Sequence, residues 1–118
     1  MSLTKAAITA VGGYVPTDVL SNQDLEKMVE TTDEWITSRT GIKERRILKA
    51  EDKGSSYLGI KASEDLINKS TIDPETIDMV IFATATPDMP VAASASYLAT
   101  KIGAKQAFSY DLMAGCSG

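Results

Sequence analysis

Cys116 is the one cysteine among 118 residues, in the run Asp111-Leu112-Met113-Ala114-Gly115-Cys116-Ser117-Gly118. The thiolate is the reactive form, and an ordinary thiol, with a pKa of about 8.5, is mostly protonated at neutral pH. A strand-to-helix turn would favour the anion, because a helix N-terminus carries partial positive charge and unpaired N–H groups. The small neighbours Ala114, Gly115, Ser117 and Gly118 let a substrate approach the backbone closely. Two readings stand: a nucleophile, or a buried and inert thiol, the usual fate of a free cysteine. The sequence holds no histidine, so no imidazole of these residues can activate the thiol.

Trp35 and Arg39 are the second candidates. Four residues apart, they share one face of a helix. An indole and a guanidinium together form a flat slot that can stack on an aromatic base, and the guanidinium can also pair with phosphate. The competing reading is a core tryptophan beside an arginine paired with an acid such as Glu34. Between Arg39 and Lys49 lie five bases (Arg39, Lys43, Arg45, Arg46, Lys49) and one acid, Glu44. That local excess of positive charge is either a solvated stretch or a site for a phosphate-bearing ligand or acidic partner. No metal site is expected: histidine is absent, and Glu64-Asp65 reads as a solvated helix face. Met28, Met79, Met89 and Met113 read as core or loop fillers.

The elements that must position these residues follow from periodicity. Lys5–Val11 is short, apolar and β-tolerant, and Gly12-Gly13 ends it, which predicts a strand and a turn. The G-x-G-x-x-G spacing of a dinucleotide site is absent. Ser21 or Asn22 can cap a helix beginning near Gln23, with Leu25, Met28 and Val29 on one stripe. Thr31-Thr32-Asp33-Glu34 offers a second helix start, running through Trp35 and Arg39 to Gly41. Ile42–Lys49 is expected to be extended. Leu58, Ala62 and Leu66 repeat at helical spacing and predict an amphipathic helix over Ser56–Lys69. Asp73-Pro74-Glu75 reads as a turn or first helical turn. Met79–Ala83 reads as a buried strand, Thr84–Pro90 as a loop, Ser94–Ile102 as a helix and Phe108–Met113 as a strand that delivers Cys116. Strands alternating with helices predict an α/β sheet with parallel neighbours. No linker divides residues 1–118, so a single segment is expected.

Composition bounds the role. The 43% hydrophobic and 24% charged content is that of an ordinary globular protein. No run approaches the ~20 apolar residues of a membrane span. The start, Met1-Ser2-Leu3-Thr4-Lys5, lacks the features of a signal peptide, and Ser2-Leu3 reads as a cloning remnant. A net charge of −4 disfavours nucleic acid as the main partner. One cysteine cannot form an internal disulfide, which fits a reducing cytoplasm.

Together these residues resemble a known family. Asp24-Leu25-Glu26-Lys27-Met28-Val29, Thr32-Asp33-Glu34-Trp35-Ile36, Arg39-Thr40-Gly41-Ile42 and Glu44-Arg45-Arg46 are similar to the N-terminal region of β-ketoacyl-acyl-carrier-protein synthase III. Ala83-Thr84-Ala85-Thr86-Pro87-Asp88 and Ala114-Gly115-Cys116-Ser117-Gly118 fit the same family in order and spacing. The resemblance spans essentially the whole chain.

It implies the first part of a thiolase-like fold, layered α/β/α. It also implies an enzyme that condenses an acyl-CoA primer with malonyl-acyl-carrier protein through an acyl-cysteine thioester, starting type II fatty-acid synthesis in the cytoplasm as a homodimer. By the resemblance Cys116 matches the nucleophile, Trp35 and Arg39 the pair that holds the CoA adenine, and Thr31 a further contact there. Acyl-CoA is then a substrate, and no cofactor is implied. The family's His and Asn should lie beyond residue 118, so these residues alone are expected to be inactive and to expose strand surfaces that the rest would cover. Where many members carry Phe-Pro-Ser, this chain has Val91-Ala92-Ala93. The aromatic matching Val91 bounds the acyl pocket across the dimer, so the smaller Val91 is expected to admit a longer or branched primer. Two other functions stay open: a starter condensing enzyme of secondary metabolism, and a non-catalytic CoA-binding α/β module.

Overall fold

The computed structural model describes residues 5–118; the expected remnant Ser2-Leu3 lies outside them. The single segment expected from the sequence forms two compact units, one of Val15–Asp52 and one combining the chain up to Tyr14 with Lys53–Gly118.

In the Val15–Asp52 unit, β1 (Asp18–Ser21) pairs antiparallel with β2 (Glu44–Ile47), Asp18 opposite Ile47 and Ser21 opposite Glu44. The basic stretch is thus extended, as expected, but its partner β1 is too short to carry a periodic signal. Helix α1 (Asn22–Glu26) opens on a capping box. Ser21 Oγ accepts from the Asp24 N–H at 3.2 Å, and the Asp24 carboxylate accepts from the Ser21 N–H at 3.2 Å. Ser21's hydroxyl and N–H, with Lys27, lower the Asp24 carboxyl from 3.8 to about 2. The folded value lies below the unfolded one, so this contribution is present above pH ~4 and is lost as pH falls towards 2. The helix ends at Glu26 rather than continuing, so Met28 and Val29 are exposed and form no buried stripe.

Helix α2 (Asp33–Thr40) begins where the sequence places it. Thr32 Oγ1 accepts from the Trp35 N–H at 3.1 Å, and Gly41 closes the helix at φ +71°. Asn22 is fully buried and ties the unit together. Its Nδ2 donates to Asp33 Oδ1 at 2.6 Å and to the Ile42 carbonyl at 2.8 Å, and Arg45 Nη1 donates to its Oδ1.

The other unit contains α3 (Ser55–Lys69), β3 (Met79–Ala83), α4 (Ser94–Ile102) and β4 (Phe108–Leu112), with a 3-10 turn at Pro74–Thr76. The strands β3 and β4 pair in parallel, Met79 opposite Phe108 and Ala83 opposite Leu112, across the α4 connection. This is the expected α/β arrangement. Alternation sets two faces. Val80, Phe82, Ser109 and Asp111 turn inward, whereas Met79, Ile81, Phe108, Tyr110 and Leu112 are exposed. The strand read as wholly buried therefore has one bare apolar face. Met79, like Met28, Met89 and Met113, is exposed and not a core filler.

The core of this unit centres on α4, where Ala95, Leu98, Ala99 and the following Ala104 are buried. Helix α3 approaches closely enough that a Cβ on Gly59 would lie 2.5 Å from Phe82 Cε2 and 2.9 Å from Leu98 Cδ1. Gly59→Val is expected to lower stability by roughly 2 kcal/mol through overpacking, read as a lower urea midpoint with an unchanged slope.

Lys5–Val11, expected as a strand, forms none: among the described residues the two sheets are β1–β2 and β3–β4. A short apolar, β-tolerant run makes a strand only where a neighbour completes its hydrogen bonds. Gly12 beyond it touches α3, where a Cβ would lie 2.4 Å from the Ala62 carbonyl oxygen. Gly13 N–H donates to Asp65 Oδ2 at 3.0 Å. Glu64 and Asp65 pair with Lys61 and Lys69 at 2.6 and 2.7 Å.

Candidate active site

The parallel ladder ends at Ala83 and Leu112, and Thr84 N–H extends it by donating to the Leu112 carbonyl at 3.2 Å. Beyond it the chain closes into a 3-10 turn over Gly115–Ser117. Gly115 lies at φ +53°, a conformation that glycine adopts without steric cost. Ser117 N–H donates to the Ala114 carbonyl at 3.0 Å. Cys116 is therefore carried just outside the carboxyl ends of two parallel strands, where open α/β sheets bind ligands. Its thiol is free and exposed among the described residues. The strand-to-helix turn expected here is a three-residue 3-10 turn.

The loop between β3 and α4 lies beside the β4 end. Pro87, Met89, Pro90, Val91, Asp111 and Met113 line much of a pocket of about 150 Å³. Val91 is 98% exposed, so it sits on the rim rather than inside. Two aspartates fix the ends of this loop. The Asp111 carboxylate, on β4, accepts from the Ser94 and Ala95 N–H groups at 2.8 and 2.7 Å. It thus caps α4, whose own N-cap residue, Ala93, has no side-chain acceptor. Asp88 caps α3 in the same way. Its Oδ1 accepts from the Ser56 N–H at 3.1 Å and the Ser55 hydroxyl at 3.0 Å, and its Oδ2 from the Ser56 hydroxyl. Burial acts to raise the Asp88 carboxyl, but the hydrogen bonds from Ser56 and Ser55 outweigh it and hold it below the ordinary carboxylate range.

Thr31, Trp35 and Arg39 come together in the Val15–Asp52 unit. Trp35 is 55% exposed, so it is not a core residue. The Arg39 guanidinium lies 4.9 Å from the centre of its ring, in cation–π range. Glu30, Thr31, Thr32 and Trp35 line an open pocket of about 240 Å³. The basic run does not act as one patch: Arg46 pairs with Glu44 and Lys49 with Asp18, each at 3.5 Å, and Arg45 turns to Asn22. Arg39 remains stacked on the indole.

Sequence reasoning misses the capping roles of Asp88 and Asp111 and the buried network of Asn22, which it reads only as a possible helix cap. Only the bare N-caps of α3 and α4, Gly54 and Ala93, signalled that each helix needs an acceptor from elsewhere.

No protein-family model matches the chain. It is 53% identical over 116 residues to the β-ketoacyl-[acyl-carrier-protein] synthase III of Porphyromonas gingivalis, covering 98% of this chain and 35% of that protein. It is 54% identical over 119 residues to the protein of that name from Azobacteroides pseudotrichonymphae, covering 100% and 36%. Among solved structures, the synthase III of Thermus thermophilus matches with TM-score 0.83 and 46% identity, over 91% of this chain and 33% of that one. The priming β-ketosynthase of the R1128 polyketide pathway matches with TM-score 0.81 and 33% identity, over 87% and 30%. The chain thus spans about a third of the length of its curated relatives. Along its whole length it is homologous to the β-ketoacyl-[acyl-carrier-protein] synthase III proteins, and it shares their thiolase-like α/β fold over the third that it spans.

Proposed function

We propose that this chain supplies the nucleophile and part of the coenzyme A site of a β-ketoacyl-acyl-carrier-protein synthase III, acting in the cytoplasm as a homodimer. The observation that carries this is the identity of 53–54% with proteins of that name along the entire chain. The exposed Cys116 thiol at the strand ends gives it a chemical basis.

In the first half-reaction the Cys116 thiolate attacks the thioester carbonyl of acyl-CoA, and CoA leaves as its thiolate. The acyl group is then held on sulfur as a new thioester. Malonyl-acyl-carrier protein next loses CO2, and its carbanion attacks the acyl carbonyl. The product is β-ketoacyl-carrier protein, and the Cys116 thiolate is released. Splitting the reaction this way replaces a three-partner encounter by two simpler ones. Backbone N–H groups, that of Cys116 included, stabilise the oxyanion. Decarboxylation and proton handling fall to a His and an Asn outside these 118 residues, which contain no histidine.

Trp35, with Arg39 stacked on its ring, holds the CoA adenine, with Thr31 at the rim. Base–aromatic stacking is worth roughly 1–3 kcal/mol per base. Trp35→Ala is therefore expected to raise KM for acyl-CoA about tenfold, with kcat little changed; an equal loss in kcat would place Trp35 elsewhere in the reaction.

The test of the whole reading is to incubate the full enzyme with acetyl-CoA and map the adduct by peptide mass spectrometry. An acetyl group on Cys116, discharged by malonyl-carrier protein, supports it. Binding of CoA without acylation would favour the non-catalytic module. The likeness to the polyketide priming ketosynthase keeps a secondary-metabolism starter enzyme as the second reading. Preference for a carrier protein other than that of fatty-acid synthesis would select it.

A further inference from the structure

Of the charged residues in the run 24–29, Glu26 is the one that its own helix does not use. Asp24 closes the capping box of α1, and Lys27 pairs with Asp24 at 3.1 Å. Glu26, the last residue of α1, reaches forward instead. Its Oε1 accepts from the Asp33 N–H, seven positions on, at 2.6 Å. Asp33 is the first residue of α2, so this bond takes up one of the N–H groups that a helix start leaves unpaired. The carboxylate charge also suits the positive end of the helix dipole.

The bond clasps the loop 27–32 at its two ends. The α2 end is a fixed post. Asp33 Oδ1 accepts from Nδ2 of the fully buried Asn22 at 2.6 Å, and Thr32 Oγ1 accepts from the Trp35 N–H at 3.1 Å. At the α1 end, the Met28 and Val29 N–H groups both donate to the Leu25 carbonyl at 2.9 Å. Between these ends lie Glu30 and Thr31, which with Thr32 and Trp35 line the open pocket beside the indole. Their position is therefore set by where the two ends are held, and Glu26 is the side chain that joins one end to the other.

We propose that Glu26 is a positioning residue for the nucleotide end of coenzyme A: by drawing the loop 27–32 onto the start of α2, it holds Glu30 and Thr31 beside the Trp35 ring that stacks on the adenine. This rests on the coenzyme A reading above. The consequence is selective. A brace of the adenine wall acts only on substrates that carry the nucleotide, and it acts on binding rather than on the chemical step. A contact that merely stabilises the fold would, when lost, lower turnover of every thioester alike.

The experiment measures KM and kcat in the full enzyme for acetyl-CoA and for acetyl-pantetheine, a thioester with the same acyl group and no nucleotide. Glu26→Ala is expected to raise KM for acetyl-CoA by about three- to fivefold, the scale of one charged contact at an exposed helix start. Its kcat, and both constants for acetyl-pantetheine, should stay at the parental values, the pattern of lost uniform binding. Glu26→Gln keeps the oxygen that accepts from the Asp33 N–H and should restore the parental KM. Trp35→Ala, run beside them, is the reference for loss of the adenine contact. An unchanged KM, an equal loss on both thioesters, a fall in kcat as large as the rise in KM, or a glutamine variant as impaired as the alanine one overturns the proposal. In each case the coenzyme A reading stands if Trp35→Ala still separates the two substrates. If Trp35→Ala fails to separate them, that reading falls as well.

Discussion

On the proposed function, Cys116→Ala in the full enzyme is expected to abolish acyl transfer, with no covalent acyl adduct and an overall rate lower by at least about 10⁴-fold. The size follows from what is removed. Alanine has no atom that can form the thioester, and loss of a nucleophile alone costs about 10⁶-fold in kcat in a well-studied hydrolase. A thermal melt of the variant separates this loss from fold damage, since an unchanged midpoint leaves only the chemistry to account for it. Cys116→Ser makes the point sharper. It keeps size and hydrogen bonding but replaces the sulfur nucleophile by a hydroxyl, a much weaker one. A serine variant that turned over at the parental rate would remove Cys116 from the chemistry.

The legibility of this site in the sequence differs by element, for physical reasons. Helix α2 is readable because its signals are local: Thr32 caps it, acids fill its first turn, and Gly41 ends it. The Trp35–Arg39 stack follows from helical spacing alone. The strands β3 and β4 are readable from β-branched and aromatic residues, and their parallel pairing from the helix between them. Other features have no local signal. The caps of α3 and α4 come from Asp88 and Asp111, each far away in sequence, so a window of neighbouring residues contains only half of each interaction. β1 is four residues long and exists because β2 lies beside it. Lys5–Val11 shows the converse, a strand-like sequence that joins neither sheet of the described residues. The basic run misleads for a related reason. Charge is counted along the chain, but Arg45, Arg46 and Lys49 are each used by partners that the count ignores.

Asn22 carries the largest stability effect expected in the Val15–Asp52 unit. Its amide is fully buried and joins four pieces of that unit. The NH₂ group donates to Asp33 at the start of α2 and to the Ile42 carbonyl, with the Thr37 hydroxyl, itself bonded to Asp33, 3.3 Å away. The carbonyl oxygen accepts from Arg45 on β2. Its backbone N–H also donates to the Lys43 carbonyl at 3.1 Å, which a substitution would keep. Asn22→Ala removes every side-chain bond and leaves the Arg45 guanidinium and the Asp33 carboxylate facing each other across a small void. Each buried group left without its partner costs roughly 1–3 kcal/mol, partly relieved here by water or by direct pairing of those two charges. A net loss of about 3 kcal/mol is expected, at the upper end of ordinary point substitutions. Asn22→Asp tests the cause. It keeps the acceptor for Arg45 but replaces the two amide donors by a second carboxylate beside Asp33, so it should destabilise strongly at neutral pH and less in mild acid, where one of the two carboxylates takes up a proton. Urea unfolding followed by fluorescence of Trp35, the one tryptophan of these 118 residues, reads this unit directly when the remaining tryptophans of the full enzyme are replaced. A loss below 1 kcal/mol for Asn22→Ala would show that the network is replaceable by solvent. The α2 helix, and the Trp35–Arg39 slot on it, would then be held by packing of Ile36 and by the helix's own caps.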